Sequence, residues 1–334
     1  ASSCHCAATG KLTTPSTHSL KLTLERAEQR VPRSAVLVGA RTVRQGTGPF
    51  LIAALHDQGV IVNGIVGTSA DTVAKAATAL KAKHGINARG YTDLAEAVGT
   101  EQPDIVVLSS PWQYHEAQLE LVAAGSCHCL VEKPLLWPAS QSVATELIGQ
   151  FETSGRLLQM VAQWPVALRQ FEALYGPLPD QVNAFEMRLS PISLGSHMVP
   201  DAAPHFLSLL HALVGPGECR EVSIAQSGQD RLTATCSYEH DGGSVESVLD
   251  LQTVAERPRP AWIAINGQRA ERQVQLPDYH QFLVAKGRQV ALPDPLAEVA
   301  ADFLGKLDAG AATDGALLNS LHRNLCQLAT AWPE

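Results

Sequence analysis

The chain has 334 residues, a net charge of −8, and 45% hydrophobic against 17% charged residues. That length allows two domains with sizeable cores, and the absence of any block of Lys and Arg argues against a nucleic-acid surface as its main business. No apolar run approaches a membrane span, and seven scattered cysteines, an odd number, fit reduced thiols in a cytoplasm better than a disulfide framework. Residues 1–33 are rich in Ser, Thr and Ala and lack the apolar centre of a secretory signal. They read as a flexible extension with a short helix at 24–30, in which Cys4-His5-Cys6 binds metal adventitiously or not at all.

From residue 34 apolar strands and helices alternate. Strands are expected at 34–40, 60–66, 104–109 and 127–131, with a short one at 85–89; helices at 49–58, 71–83, 93–98 and 116–124 lie between them. This alternation is the mark of a parallel, doubly wound α/β sheet, and it predicts an N-terminal Rossmann domain over 34–155. The first turn departs from G-x-G-x-x-G. Gly39 is present, Arg41 takes the second glycine position, and Gly46 and Gly48 lengthen the loop. A helix start after a Gly-rich loop suits a pyrophosphate, although the segment reads equally as a plain strand–loop–helix. Gly39, Arg41, Arg44 and Gly46 are the candidate contacts.

The second strand ends in Gly67-Thr68-Ser69. Folds that select NAD usually end it in a carboxylate that holds the ribose hydroxyls. Its absence removes repulsion against a 2′-phosphate. Thr68 and Ser69 offer hydroxyls, and Arg41 or Arg44 offers charge, so NADP is expected over NAD; the other reading is that these are ordinary turn residues. Cys127-His128-Cys129 tempts a metal assignment. In a strand the two sulfurs share one face and His128 points to the other, so no metal is expected there. Glu132-Lys133-Pro134 follows at the strand end, where open α/β sheets line their ligand crevice. A lysine held there can act as an acid or base once burial or a neighbouring cation lowers its pKa; on three residues alone it reads as a solvated lysine.

The pattern then changes. Helices are expected at 141–152 and 166–175 and a strand at 156–161. Extended segments follow at 181–189, 221–227, 231–238, 244–253 and 261–265, with turns at Asp241-Gly242-Gly243 and Asn266-Gly267. This predicts a second, α+β domain over 156–334 with a largely antiparallel sheet, closed by helices at 295–307 and 315–329. Within it, 201–215 reads as a helix capped by Asp201, with Pro204 in its first turn. Asp201 and His205 are four apart and share a face, which would raise the imidazole pKa and orient the ring. The pair also reads as an N-cap and a core histidine.

Val131-Glu132-Lys133-Pro134, Ser110-Pro111-Trp112-Gln113-Tyr114-His115 and Asp201-x-x-x-His205 together resemble the Gfo/Idh/MocA oxidoreductases, over about residues 36–307. The resemblance implies that Lys133, Asp201 and His205 are catalytic. It also implies that Ser110, Pro111, His115, Glu132 and Lys133 lie along the cofactor, and that hydride passes between NADP or NAD and a small polyhydroxylated or cyclic alcohol or ketone. Homodimers or homotetramers through the C-terminal sheet are implied as well. The chain departs from the family at the first glycine motif and at Ser208, where many members have a second aspartate. Two other functions remain open: a cofactor-binding regulator or scaffold without turnover, and a reductase of a C=N or C=C bond.

Overall fold

The computed structural model describes residues 32–39, 46–138 and 140–332. Arg41, Arg44, the Cys4-His5-Cys6 stretch and the helix expected at 24–30 lie outside the described residues.

Among the described residues, six strands form a parallel sheet in the order β3-β2-β1-β4-β5-β6. They are β1 (Ser34–Val38), β2 (Ile61–Val66), β3 (Arg89–Tyr91), β4 (Ile105–Leu108), β5 (His128–Val131) and β6 (Leu158–Met160). The strand expected at 156–161 is therefore the last strand of the first sheet, paired in parallel with β5, and not the opening of the second domain. Its apolar residues are covered on both faces, as parallel sheets require. Between the strands run α1 (Gly48–Asp57), α2 (Ala70–His84), α3 (Leu94–Glu101), α4 (His115–Ala124) and α5 (Gln141–Thr153). Ser69, Asp93 and Ser140 cap α2, α3 and α5 through their side chains.

Side-chain alternation splits the core. Val36 and Val38 of β1 face one apolar cluster, and Ala35 and Leu37 face the other. The first cluster also holds Phe185 and Phe206 of the second domain, so one core is continuous across both domains. The second cluster is closed by Leu296, Val299, Ala300 and Phe303 of α8 (Pro295–Asp308), a helix that follows the second sheet in the chain but packs on α1.

The second sheet runs β14-β13-β12-β11-β7-β10-β9-β8, antiparallel except where β7 (Ala184–Leu189) and β10 (Gly243–Gln252) pair in parallel. β8 (Gly217–Ser227), β9 (Arg231–His240) and β11 (Ala261–Ile265) sit where extended segments were expected. β12 (Gln268–Gln275), β13 (His280–Ala285) and β14 (Arg288–Leu292) were not foreseen; their burial is partial, and in β12 Ala270 alone is fully buried. α6 (Ala167–Tyr175), α7 (Met198–Val214) and α9 (Gly315–Thr330) complete the domain. No helix among the described residues is long and apolar enough to cross a membrane.

The helix carrying Asp201 differs from expectation. α7 starts at Met198, so Asp201 lies in its first turn and is not its N-cap, and Pro204 sits inside it. The carboxylate instead reaches back to the loop before the helix, where Oδ2 accepts the backbone N–H of Ile192 (3.1 Å) and Ser193 (3.3 Å). A turn at 195–197 precedes α7 and starts the coil earlier than the proline pattern suggests.

Candidate active site

β1, β4 and β5 end side by side, and their last residues open a cavity of about 850 Å³ between the two domains. Gly39 makes the first corner. Its φ is +91°, and a Cβ there would stand 2.5 Å from the carbonyl carbon of Ser109. The backbones of two strand ends can therefore close on each other only at a glycine. Gly48 packs the same way, with a virtual Cβ 2.9 Å from Ser109 Cβ. Gly46 and Thr47 line the cavity just before α1, whose start faces it.

β5 carries Lys133 to the cavity, and α7 brings Asp201 to meet it from the other domain. Lys133 Nζ donates to the main-chain carbonyl of Asp201 and to Oδ1 at 3.0 Å. An ammonium has three N–H groups, so one remains for a ligand. Burial pushes the Asp201 carboxyl up, but Lys133 and the two backbone N–H groups outweigh it and bring it down to about 2. Glu132, 7% exposed, is pushed up by burial against the pull of the Thr47 hydroxyl and the Lys133 ammonium.

His205 lines the cavity beside this pair. The expected rise of its pKa is reversed: burial, reinforced by Lys133, outweighs Asp201 and pushes the imidazole down to about 3. Asp201 spends its oxygens on Lys133, Ile192 and Ser193, so it orients the lysine, and its charge at the ring is offset by the ammonium. The ring is neutral at pH 7. A pH prediction follows from the sign. Above pH 6.5 the imidazole is neutral folded and unfolded alike; below it the unfolded chain takes a proton that the folded one refuses until about 3. Stability contributed by this site falls through that window, and His205→Asn makes the acid limb of urea midpoints against pH shallower. An unchanged limb would contradict the placement.

Gly39, Gly46, Thr68, Ser110, Pro111, Glu132, Lys133, Asp201 and His205 line one cavity. Ser69 and His115 do not. Ser69 Oγ accepts from Thr72 N at 3.3 Å as the cap of α2. His115 is fully buried, with Nε2 2.9 Å from the Ser110 carbonyl and Nδ1 2.9 Å from that of Pro134, so it ties the β4 and β5 loops together. Sequence reasoning missed Thr47, Gln163, Trp164, Arg259, Arg272 and Tyr279 in the lining. The Asn266-Gly267 hairpin signal, followed one strand further, would have set Arg272 opposite Ala261. Cys127 and Cys129 are buried in the core, and His128 Nδ1 accepts from Leu157 N at 2.9 Å. Among the described residues no three His, Cys, Asp or Glu side chains group as a metal site.

The cavity fits a dinucleotide. Ser109 Oγ and Glu132 Oε1, on two residues that line it, are buried without a hydrogen-bond partner of ordinary geometry.

Residues 34–161 match a family described as "Oxidoreductase family, NAD-binding Rossmann fold". No curated protein matches the sequence. Among solved structures, UDP-N-acetylglucosamine 3-dehydrogenase from Acidithiobacillus ferrooxidans is similar, with TM-score 0.67 and 21% identity over 90% of this chain and 98% of that one. An oxidoreductase from Agrobacterium radiobacter, in complex with NAD+, L-tartaric acid and magnesium, gives TM-score 0.65 and 16% identity over 90% and 97%. A levoglucosan dehydrogenase in complex with NADH and levoglucosan gives 0.66 and 12% over 91% and 98%. At these identities the likeness is one of fold.

Proposed function

Since residues 34–161 match the NAD-binding Rossmann model of the Gfo/Idh/MocA oxidoreductases, we propose that the chain is a dehydrogenase or reductase acting on a CH–OH carbon and its carbonyl. The observation that carries this reading is the Lys133 ammonium, fixed by Asp201 from the opposite domain beside a neutral His205, at the mouth of the dinucleotide cradle.

Bound at the cradle, a nicotinamide dinucleotide supplies or accepts the hydride. Gly39, Gly46 and the start of α1 would hold its pyrophosphate, and Thr68 its ribose. Lys133 binds the reacting oxygen through its remaining N–H. It gives up a proton as a carbonyl is reduced and takes one as an alcohol is oxidised. Asp201 keeps the ammonium aimed. His205, held neutral, can hydrogen-bond the reacting oxygen without taking up its proton, which stays with Lys133.

NADP is the expected preference. Gly67 lines the cavity at the end of β2, with no carboxylate to repel a 2′-phosphate. Fluorescence titration should find NADPH bound more tightly than NADH. Gly67→Asp should move the ratio toward NADH by roughly tenfold, equivalent to about 1.4 kcal/mol. The new Cβ would meet Val73 Cγ2 at 2.9 Å, so that side chain must shift to admit it, and the fold of the variant is checked alongside. Tighter NADH binding by the unmutated chain would sink the preference, and binding of neither nucleotide would sink the enzyme reading.

A further inference from the structure

The wall of the cavity contributed by the second domain is cationic. Arg257 and Arg259, between β10 and β11, and Arg272 on β12 all line it, with Tyr279 beside them. Arg272 is the fixed member. Its Nη2 donates to the Arg259 carbonyl at 3.1 Å, and its guanidinium lies 5.6 Å from the centroid of the Trp164 ring. Its Nε is buried without an acceptor. Its charge reaches His205, where it adds to the depression of the imidazole.

Carboxylates that could neutralise it are engaged elsewhere. The cavity is lined by Asp93, Glu132 and Asp201. Asp93 caps α3 through Glu96 N at 2.8 Å, and Asp201 is held by Lys133 and the 192–193 backbone. Glu132 belongs to the β5 end, next to Lys133. Among the described residues Arg272 has no carboxylate within ion-pair distance, whereas Arg188 on the same sheet is matched by Asp250 at 2.8 Å. A mostly buried guanidinium without a counter-ion is unfavourable by itself. A purely structural cation could be matched as Arg188 is; this one faces the space a substrate must enter. It stands on the second domain, whereas Gly39 and Gly46 belong to the first.

We propose that the substrate of this site carries a carboxylate, bound by the Arg272 fork on the second-domain wall while its hydroxyl or carbonyl carbon sits at Lys133. The substrate class is then a hydroxy acid or an acidic sugar and its oxo counterpart. The planar guanidinium suits the two oxygens of a carboxylate, and Trp164 beneath it keeps the fork from turning. The proposal rests on the dehydrogenase reading above and refines its substrate.

The test uses the full chain loaded with NADPH or NADH, whichever binds. D-glucuronate and D-gluconate are titrated against D-glucose, D-glucitol and D-glucose 6-phosphate, followed calorimetrically. The acids should bind at least tenfold more tightly than their neutral partners. Arg272→Gln should weaken the acids by about 10–100-fold, the scale of a charged hydrogen bond, with nucleotide affinity unchanged. Arg272→Lys should restore part of the loss, because charge returns without the fork. Equal binding of neutral and acidic compounds, tighter binding of the phosphate ester, an acid preference that survives Arg272→Gln, or no acid binding at millimolar concentration would each overturn the carboxylate assignment. Failure of the unmutated chain to bind any nucleotide would instead defeat the reading beneath it. Should Arg272→Gln lose nucleotide binding through misfolding, the panel on the unmutated chain decides the matter.

Discussion

Lys133→Met should lower single-turnover hydride transfer by about 10²–10⁴-fold, the usual reach of general acid–base help. Methionine keeps most of the apolar stem and removes the ammonium. Asp201 then loses its ion pair but retains the N–H groups of Ile192 and Ser193. The fold should therefore survive, at a cost of about 1–3 kcal/mol for one charged hydrogen-bonded contact. Nucleotide affinity should change little, because the cradle at Gly39 and Gly46 lies on other strands. The measurement is stopped-flow nucleotide absorbance with any substrate the unmutated enzyme turns over, with nucleotide affinity measured alongside. Full activity in Lys133→Met would remove the basis of the mechanism; lost activity together with lost nucleotide binding would mean that the residue supports the fold and not the chemistry.

Gly39→Ala should destabilise the protein by about 2–5 kcal/mol, the sum of a left-handed backbone penalty and of overpacking. The neighbour decides the size. A Cβ at this position meets Ser109 C and O at 2.5 Å and Ser110 N at 2.6 Å, all backbone atoms of the adjoining strand end. No rotamer change relieves such a clash; β1 and β4 must move apart, and the cradle opens with them. With total stabilities near 5–15 kcal/mol, a loss of that order is visible as a large drop in the urea midpoint. Gly99→Ala in α3 is the control. Nothing lies within 4 Å of its virtual Cβ, and its φ is ordinary, so it should gain about 0.5–1 kcal/mol. Equal midpoints for the two variants would refute the close-approach account.

The first domain was legible because β1 and β4 are buried on both faces and read as unbroken apolar runs; the short, mostly exposed β3 falls at Arg89–Tyr91, beyond the 85–89 expected. Lys133 was legible because a strand end is a position that sequence alone can locate. The second sheet was harder. Its strands are covered on one side, and β12 is mostly Arg, Glu and Gln, with Ala270 and Val274 its apolar residues and Ala270 alone buried. The Asn266-Gly267 turn carries the register that sets Arg272 opposite Ala261, but it gave no placement while the polar β12 itself went unrecognised as a strand. His205 was assigned the wrong direction of pKa because four-residue spacing reports a shared face and says nothing of burial or of the Lys133 charge that also acts on the ring. Pro204 misled the start of α7, since proline inside a helix is tolerated where packing holds the turn.

The helix Pro295–Asp308 gives the chain an unusual schedule. The sheet of the first domain is complete in sequence by Met160, yet one side of its core stays open until Leu296, Val299 and Phe303 arrive. On a ribosome those side chains emerge roughly 130 residues later, which at about 5–20 residues per second is a delay on the order of ten seconds. For that interval Leu51, Ile52 and Leu55 have the sheet residues Ala35, Leu37 and Ile65 of their cluster but not the helix that completes it. The nucleotide-binding half, although made first, cannot be finished first. Its closure waits on a helix made after the second sheet, so a ribosome-bound nascent chain cut short within that sheet lacks one wall of its first core.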